Sequence, residues 1–257
     1  ETGVPVIVHN EEGSNVTPSV VEFRSDGVVE VGELPRKTLG LEVNVFGGFK
    51  RDMGTDTTYE VHGESYTPTQ LSTFVLRKLK QDAEVALGPI GEAIVTIPAN
   101  FPHEARAATM AAAKAAKLKV NYIINEPTAA ALYYAHKNGK EFDGCCAIYD
   151  LGGGTFDVTI AKVVGQDVEV LATEGVKTLG GSDFDLELQK LVTTKYKDKT
   201  GKEPSARDFT RNDAEELKKI LSKRESSQAR VGLELIDVSR EEFEESISTL
   251  IAKTEML

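Results

Sequence analysis

The sequence predicts an α/β fold built in lobes, and three observations carry that expectation. From Ala93 onward, short β-branched runs alternate with helix-like segments, the pattern of strands covered by helices. A glycine-rich run, Asp150-Leu151-Gly152-Gly153-Gly154-Thr155-Phe156-Asp157, joins two of those strands as a hairpin. A length of 257 residues accommodates one large domain or two smaller lobes, with ample core either way.

The elements follow in order. Residues 4–8 read as a short apolar strand, and residues 19–23 and 28–31 as a hairpin around Asp26-Gly27. Residues 35–63 are glycine-rich and weakly periodic, a loop with short elements. Thr67-Pro68-Thr69-Gln70 announces a helix, with a Thr N-cap, Pro at the first helical position and Gln closing a capping box. Leu71, Val75 and Leu79, joined by Phe74, give it one apolar face, and Gly88-Pro89 ends it. Residues 93–97 form a buried strand. An alanine-dense helix opens at Pro102 and runs to Lys117, its small side chains allowing close approach to a sheet. A strand over 120–124 leads to a helix from Pro127 to a stop at Gly139. After the central hairpin comes a strand over 168–172. Helices then follow at about 183–199, 210–225 and from Ser239 to the end.

Composition excludes several classes. Hydrophobic content of 40% and charged content of 28% belong to an ordinary soluble globular chain. Net charge is −11 and no block of Lys and Arg forms a phosphate-backbone footprint, so no nucleic-acid partner is expected. No apolar run reaches membrane-span length and no secretory signal precedes the fold, so no membrane partner is expected either. Cys145 and Cys146 are adjacent in a predicted buried strand and point to opposite faces, which argues against a disulfide or a metal site and fits a reducing compartment; a cytoplasmic setting is expected, with an organellar parent as the alternative. Asn15-Val16-Thr17 matches a glycosylation sequon, a triplet that also arises by chance, and Pro18 follows it.

The glycine run carries the chemistry. Consecutive glycines expose backbone N–H groups and let a bulky anion approach, since no Cβ stands in the way. Residues 156–164 read as a strand, where a Walker or Rossmann loop would open into a helix. Asp150 at the entry suits a hydrated divalent cation, and the Thr155 hydroxyl is placed to meet a phosphate oxygen. A tight turn is the bland alternative. Asp before the glycines and Thr after them favour a nucleotide phosphate clamp. On the helix from Thr210, Glu215, Lys218 or Lys219, and Ser222 form one polar stripe, opposite a buried stripe of Ala214, Leu217 and Leu221.

Three further motifs occur in register with the glycine run: Ile97-Pro98-Ala99-Asn100-Phe101, Ile124-Asn125-Glu126-Pro127-Thr128-Ala129-Ala130-Ala131, and Leu179-Gly180-Gly181-Ser182-Asp183-Phe184-Asp185. Together they closely resemble the ATPase domain of the 70-kilodalton heat-shock chaperones, the DnaK-type family. The resemblance covers essentially the whole chain and is weakest between about Lys37 and Glu64. It implies an actin-like ATPase fold, two lobes around a nucleotide cleft, incomplete in this chain. Residues 1–140 would be the first lobe, with 17–90 as its peripheral subdomain, and 141–257 the second, with 182–257 peripheral. The implied cofactors are ATP or ADP with Mg²⁺.

The resemblance also assigns residues. Lys50 matches the family lysine that helps place the attacking water; its plain reading is one member of a solvated Lys-Arg pair. Glu126 matches an acidic residue that orders cation-bound water or the attacking water, and also suits a helix N-terminus. Asp150 resembles the cation-organising aspartate, acting through bound water. Gly152, Gly153, Gly154 and Thr155 would take the β- and γ-phosphates, and Gly181 would approach the nucleotide closely. Glu215, Lys218, Lys219 and Ser222 would face adenosine. Lys219 stands where an arginine commonly stacks on adenine, and a lysine stacks less well, so weaker base affinity is expected. Asp157 fits either the site or bracing of the hairpin. Pro98 and Arg106 match positions that relay nucleotide state, and read more simply as a strand terminator and a helix surface charge.

The family's first phosphate loop, its later glycine-rich adenosine loop and its peptide-binding domain find no match here. The expectation is therefore a piece of a longer protein that binds ATP poorly by itself. The implied function is ATP binding and hydrolysis coupled to polypeptide binding and release. The implied partners are unfolded polypeptide clients, J-domain co-chaperones and nucleotide-exchange factors. The alternatives are a nucleotide-independent protein that contacts co-chaperones, and an actin-like sugar kinase, against which the motif over 124–131 argues.

Overall fold

The computed structural model describes residues 5–138, 143–165 and 167–256. The chain divides into two compact units, residues 1–129 and 130–257, with the boundary inside one helix. Among the described residues no helix is long and apolar enough to cross a membrane.

In the first unit, β1 (Val20–Phe23) is the centre of an antiparallel sheet in the order β2-β1-β3, with β2 at Val29–Val31 and β3 at Val45–Gly47. The β1–β2 turn forms as expected: Asp26 Oδ1 accepts from the Val28 N–H at 3.1 Å, and Gly27 takes a left-handed φ of 83°. A short helix, α1 (Glu33–Arg36), and a single 3₁₀ turn, Phe49–Asp52, fill the glycine-rich region. A two-stranded hairpin follows, β4 (Tyr59–Val61) and β5 (Glu64–Tyr66). The capping box at Thr67 and Gln70 then starts α2 (Pro68–Leu87), which ends at Gly88.

Burial of α2 drives this unit. Leu71 is fully buried and Val75 nearly so, against Val21, Phe23 and Phe49. Phe23 packs on Tyr66 at 4.3 Å and edge-on to Phe74 at 5.6 Å between ring centroids. Leu79, expected on the same face, is exposed, because the aromatic cluster reaches only the first half of the helix. Parallel strands β6 (Ala93–Ile97) and β7 (Val120–Asn125) are joined by α3 (His103–Ala115) as a βαβ crossover. The alanines of α3 pack chiefly against α2, where a sheet was expected. The helix stops short of Lys117, which turns to a left-handed φ of 60°. Residues 5–8 form no strand, with Val6 and Ile7 exposed; Val4 lies outside the described residues.

α4 (Glu126–Asn138) leads into the second unit; the stop expected at Gly139 falls outside the described residues. Strands β8 (Gly144–Leu151), β9 (Phe156–Val164) and β10 (Asp167–Val176) form an antiparallel meander in the order β10-β9-β8. The glycine run is the β8–β9 turn. β8 is an edge strand rather than a buried one, and Cys145 is exposed.

Helices α5 (Gly181–Thr200) and α6 (Arg211–Leu221) pack together over a core of Phe156, Phe184, Leu188, Leu217 and Leu221. α6 ends four residues before the expected 225, because residues 226–239 form an unanticipated hairpin, β11 (Ser226–Val231) with β12 (Glu234–Ser239). The terminal segment is two short helices, α7 (Arg240–Ser246) and α8 (Ser248–Glu255), separated at Ile247. α7 starts from its N-cap Ser239, where the sequence places a helix start, with a capping box of Ser239 and Glu242.

Candidate functional site

β8 and β9 stay in register up to Asp150 opposite Asp157 and Leu151 opposite Phe156. Residues 152–155 therefore close the turn, and the Gly152 N–H donates to the Thr155 carbonyl at 2.9 Å. The N–H groups of Gly153 and Thr155, and the Thr155 hydroxyl, have no hydrogen-bond partner among the described residues. A Cβ at Gly153 would meet nothing within 4 Å, so the backbone there faces open space. Backbone donors left unmet on an accessible loop are what an incoming anion uses.

The half-buried Asp150 carboxylate likewise has no partner among the described residues. Among these residues no group of three or more His, Cys, Asp or Glu side chains converges on a metal position. One carboxylate with room around it fits a cation that keeps most of its water and takes other ligands from phosphate, the usual habit of Mg²⁺. Asp157 differs, being only 3% exposed. Its burial on the inner face of β9 suits bracing of the hairpin.

The hairpin is supported from below by the start of α5. Gly181 N–H donates to Gly152 O and Ser182 N–H to Gly153 O, both at 2.9 Å. A Cβ at Gly180 would lie 2.5 Å from Gly154 N and 2.7 Å from Gly153 C, so the two backbone segments touch. Two of the helix's orphan N–H groups thus grip the loop, and the positive end of the α5 dipole abuts it. Gly180 N–H donates to Asp183 Oδ2 at 2.8 Å, fixing the helix entry. Gly181, expected beside the nucleotide, sits beneath the loop. Gly180 and Asp185 were not singled out from the sequence, although both belong to the motif over 179–185.

Lys218 belongs to this support as well. Its Nζ donates to Gly181 O at 3.0 Å and lies 2.6 Å from Asp185 Oδ1, an ion pair whose angles fall outside hydrogen-bond geometry. Burial pushes the Asp185 carboxyl up, and Lys218 beside it only partly offsets the rise. The predicted adenosine stripe is therefore divided. Lys218 turns to α5, while Lys219 stays on the surface between Glu215 at 3.0 Å and Glu216 at 2.8 Å. Bonds to these two carboxylates hold the Lys219 ammonium above its ordinary pKa, that to Glu216 contributing most. Ser222 caps α6 through Lys218 O at 2.9 Å. Of the four predicted adenosine contacts, Ser222 alone borders the pocket of about 630 Å³ formed with Leu221, Arg240, Phe243, Ile247 and Ile251.

In the first unit, Lys50 and Glu126 meet. Lys50 Nζ is 2.9 Å from Glu126 Oε1, although the two are 76 residues apart. The 3₁₀ turn brings one, and the junction of β7 with α4 brings the other. Such a half-exposed pair is worth only about 0–1 kcal/mol, too little for stability to be its evident purpose. Arg106 is not a free surface charge. It donates to Ala99 O at 2.9 Å, Phe101 O at 3.1 Å and Asn125 Oδ1 at 3.2 Å, tying the loop after β6 to the end of β7.

A family model described as Hsp70 protein matches residues 55–256, well over half of the chain. The chain belongs to the Hsp70 family. Its general role is accordingly that of a chaperone ATPase domain, and Hsp70-family domains bind nucleotide. The family implies the actin-like ATPase fold, with which the mixed α/β architecture is consistent. Client and co-chaperone interactions follow in general terms. The match takes in Glu126, the glycine hairpin and the α6 stripe. Lys50 lies just before it, so its assignment rests on the local geometry and the earlier resemblance.

Proposed function

We propose that this Hsp70-family chain binds ATP through the backbone of residues 152–155 and takes part in its hydrolysis. The observation that carries the reading is the open glycine turn, with Gly153 and Thr155 N–H groups and the Thr155 hydroxyl left without partners. These groups bind the β- and γ-phosphates, where hydrogen bonds to charged oxygens are worth about 1.5–3 kcal/mol each. The α5 N-terminus adds a favourable field and holds the loop in shape. Asp150 holds a hydrated Mg²⁺, which when bound neutralises phosphate charge. Glu215, Lys219 and Ser222 hold the nucleoside, with Lys218 fixing α6 against α5. Lys50, oriented by Glu126, places the attacking water. Turnover is coupled to polypeptide binding and release, regulated by J-domain co-chaperones and nucleotide-exchange factors, and Pro98 and Arg106 relay nucleotide state.

Lys50→Ala tests the catalytic half of this reading. Phosphoryl transfer depends on positioning and charge stabilisation, so loss of a water-placing cation is expected to slow single-turnover hydrolysis by about 10²-fold. ADP affinity should stay within about twofold, since the phosphate cradle is untouched. Hydrolysis within twofold of the parent rate would remove Lys50 from the mechanism.

A further inference from the structure

We propose that Asp52 and Tyr59 form a clasp that positions Lys50 for catalysis. The inference rests on the reading of Lys50 given above and adds two residues to it. Lys50 stands on a single 3₁₀ turn of four residues, Phe49–Asp52. One such turn has little stability of its own, so its orientation is set by what holds its ends.

At the front of the turn, Phe49 is only 2% exposed and is locked in the aromatic core of the unit. At the back, the Tyr59 hydroxyl donates to Asp52 Oδ2 at 2.6 Å. The Asp52 carbonyl accepts from Thr55 N–H at 3.1 Å and Thr55 Oγ1 at 2.8 Å, which closes the loop behind it. Tyr59 is itself fixed. Its ring meets Phe46 edge-on at 5.4 Å between centroids, and its backbone pairs with Tyr66 in the β4–β5 hairpin. Burial, and then the Asp52 carboxylate, push the phenol well above its ordinary pKa, so it remains a protonated donor through the working pH range.

Glu126 holds only the tip of Lys50, and the platform sets where its stem begins. Its side chain is 49% exposed, and its bond to Glu126 is a single ion-pair contact at the tip. A lysine carries its charge on a flexible four-carbon stem, so a tilt of the turn by roughly 10° moves the ammonium by roughly 1 Å. A displacement of that size can cost about 10²-fold in rate. Asp52 lies two residues before Gly54, whose Cβ would lie 2.5 Å from Ala105 N, so the chain after the turn is also pressed onto α3.

The test is single-turnover ATP hydrolysis by the intact protein carrying Tyr59→Phe, Asp52→Ala, Asp52→Asn, Lys50→Ala and the Tyr59→Phe/Lys50→Ala pair. Tyr59→Phe keeps the ring packing and removes only the donor. Hydrolysis should fall about tenfold in Tyr59→Phe and Asp52→Ala, with ADP affinity and the unfolding midpoint nearly unchanged. Asp52→Asn retains an acceptor oxygen for the phenol and should recover most of the rate. In the Lys50→Ala background, adding Tyr59→Phe should change nothing, because the residue that it positions is gone. A normal rate in both Tyr59→Phe and Asp52→Ala, alongside a slow Lys50→Ala, would overturn the clasp and leave the reading of Lys50 intact. An equal loss from Tyr59→Phe with and without Lys50 would show a merely structural role and overturn it too. A normal rate in Lys50→Ala would overturn both.

Discussion

Gly153→Val should abolish nucleotide binding in a protein that still folds. A Cβ at this position meets no atom within 4 Å, and the backbone lies outside the left-handed region, so the fold accepts a side chain there. The space that a valine fills is the space that a phosphate must enter, next to N–H groups that have no other partner. Losing two charge-assisted hydrogen bonds at about 1.5–3 kcal/mol each lowers affinity by about 10²–10⁴-fold. ADP and ATP should be lost alike, since the block acts on binding and not on the chemical step. Calorimetric titration together with thermal unfolding separates the two effects. Parent-like ADP affinity in the folded variant would remove the loop from the site.

Gly180→Ala should behave differently, although it adds a smaller side chain, in the motif that packs against the same loop. Its φ of −176° is open to any residue, so no backbone strain arises. The obstacle is contact: the new Cβ would stand 2.5 Å from Gly154 N and 2.7 Å from Gly154 Cα. Backbone on both sides must shift, because neither neighbour is a flexible side-chain tip. Overpacking of this kind costs about 1–3 kcal/mol and displaces the loop that Gly181 and Ser182 hold by their N–H groups. Stability and ADP affinity should therefore fall together, with affinity reduced about tenfold or more. An alanine variant that melts and binds like the parent would mean that the two segments do not touch.

The contrast between these glycines marks how far the sequence could be read. The turn between β8 and β9 was legible because an apolar, strand-like run precedes the glycines and a β-branched run follows them, and strand patterning is a local property. The starts of α2, α6 and α7 were legible for the same reason, each capping box lying within four residues. The support beneath the loop was not. That Gly180 meets Gly154 is a tertiary contact, and no local pattern distinguishes it from Gly181, which took the nearer role in the sequence reading. Lys218 and Lys219 are a similar pair. One helical step turns Lys218 to Asp185 and leaves Lys219 on the surface, and the packing of α6 on α5 decides which.

One miss had a signal in the sequence. Val231-Gly232-Leu233-Glu234 carries a two-residue glycine turn between alternating runs, the mark of a hairpin, in a stretch between the expected helices to which the sequence reading assigns no element. The glycine-rich region before residue 60 concealed the Tyr59–Asp52 bond, which depends on the whole loop closing on itself. The edge position of β8 had no local signal, since a run of apolar residues reads alike in a central strand and an edge strand.

The central claim is that backbone N–H groups of residues 152–155 bind nucleotide phosphate, and amide chemical shifts read those groups directly. Uniformly ¹⁵N-labelled protein titrated with Mg-ADP, and in parallel with adenosine, separates phosphate contact from nucleoside contact. The account predicts that the Gly153 and Thr155 amide resonances move downfield with Mg-ADP, as expected of N–H groups gaining charged acceptors, and stay in place with adenosine. Amide shifts at Gly153 and Thr155 that remain unchanged at saturating Mg-ADP, while resonances elsewhere report binding, would contradict it.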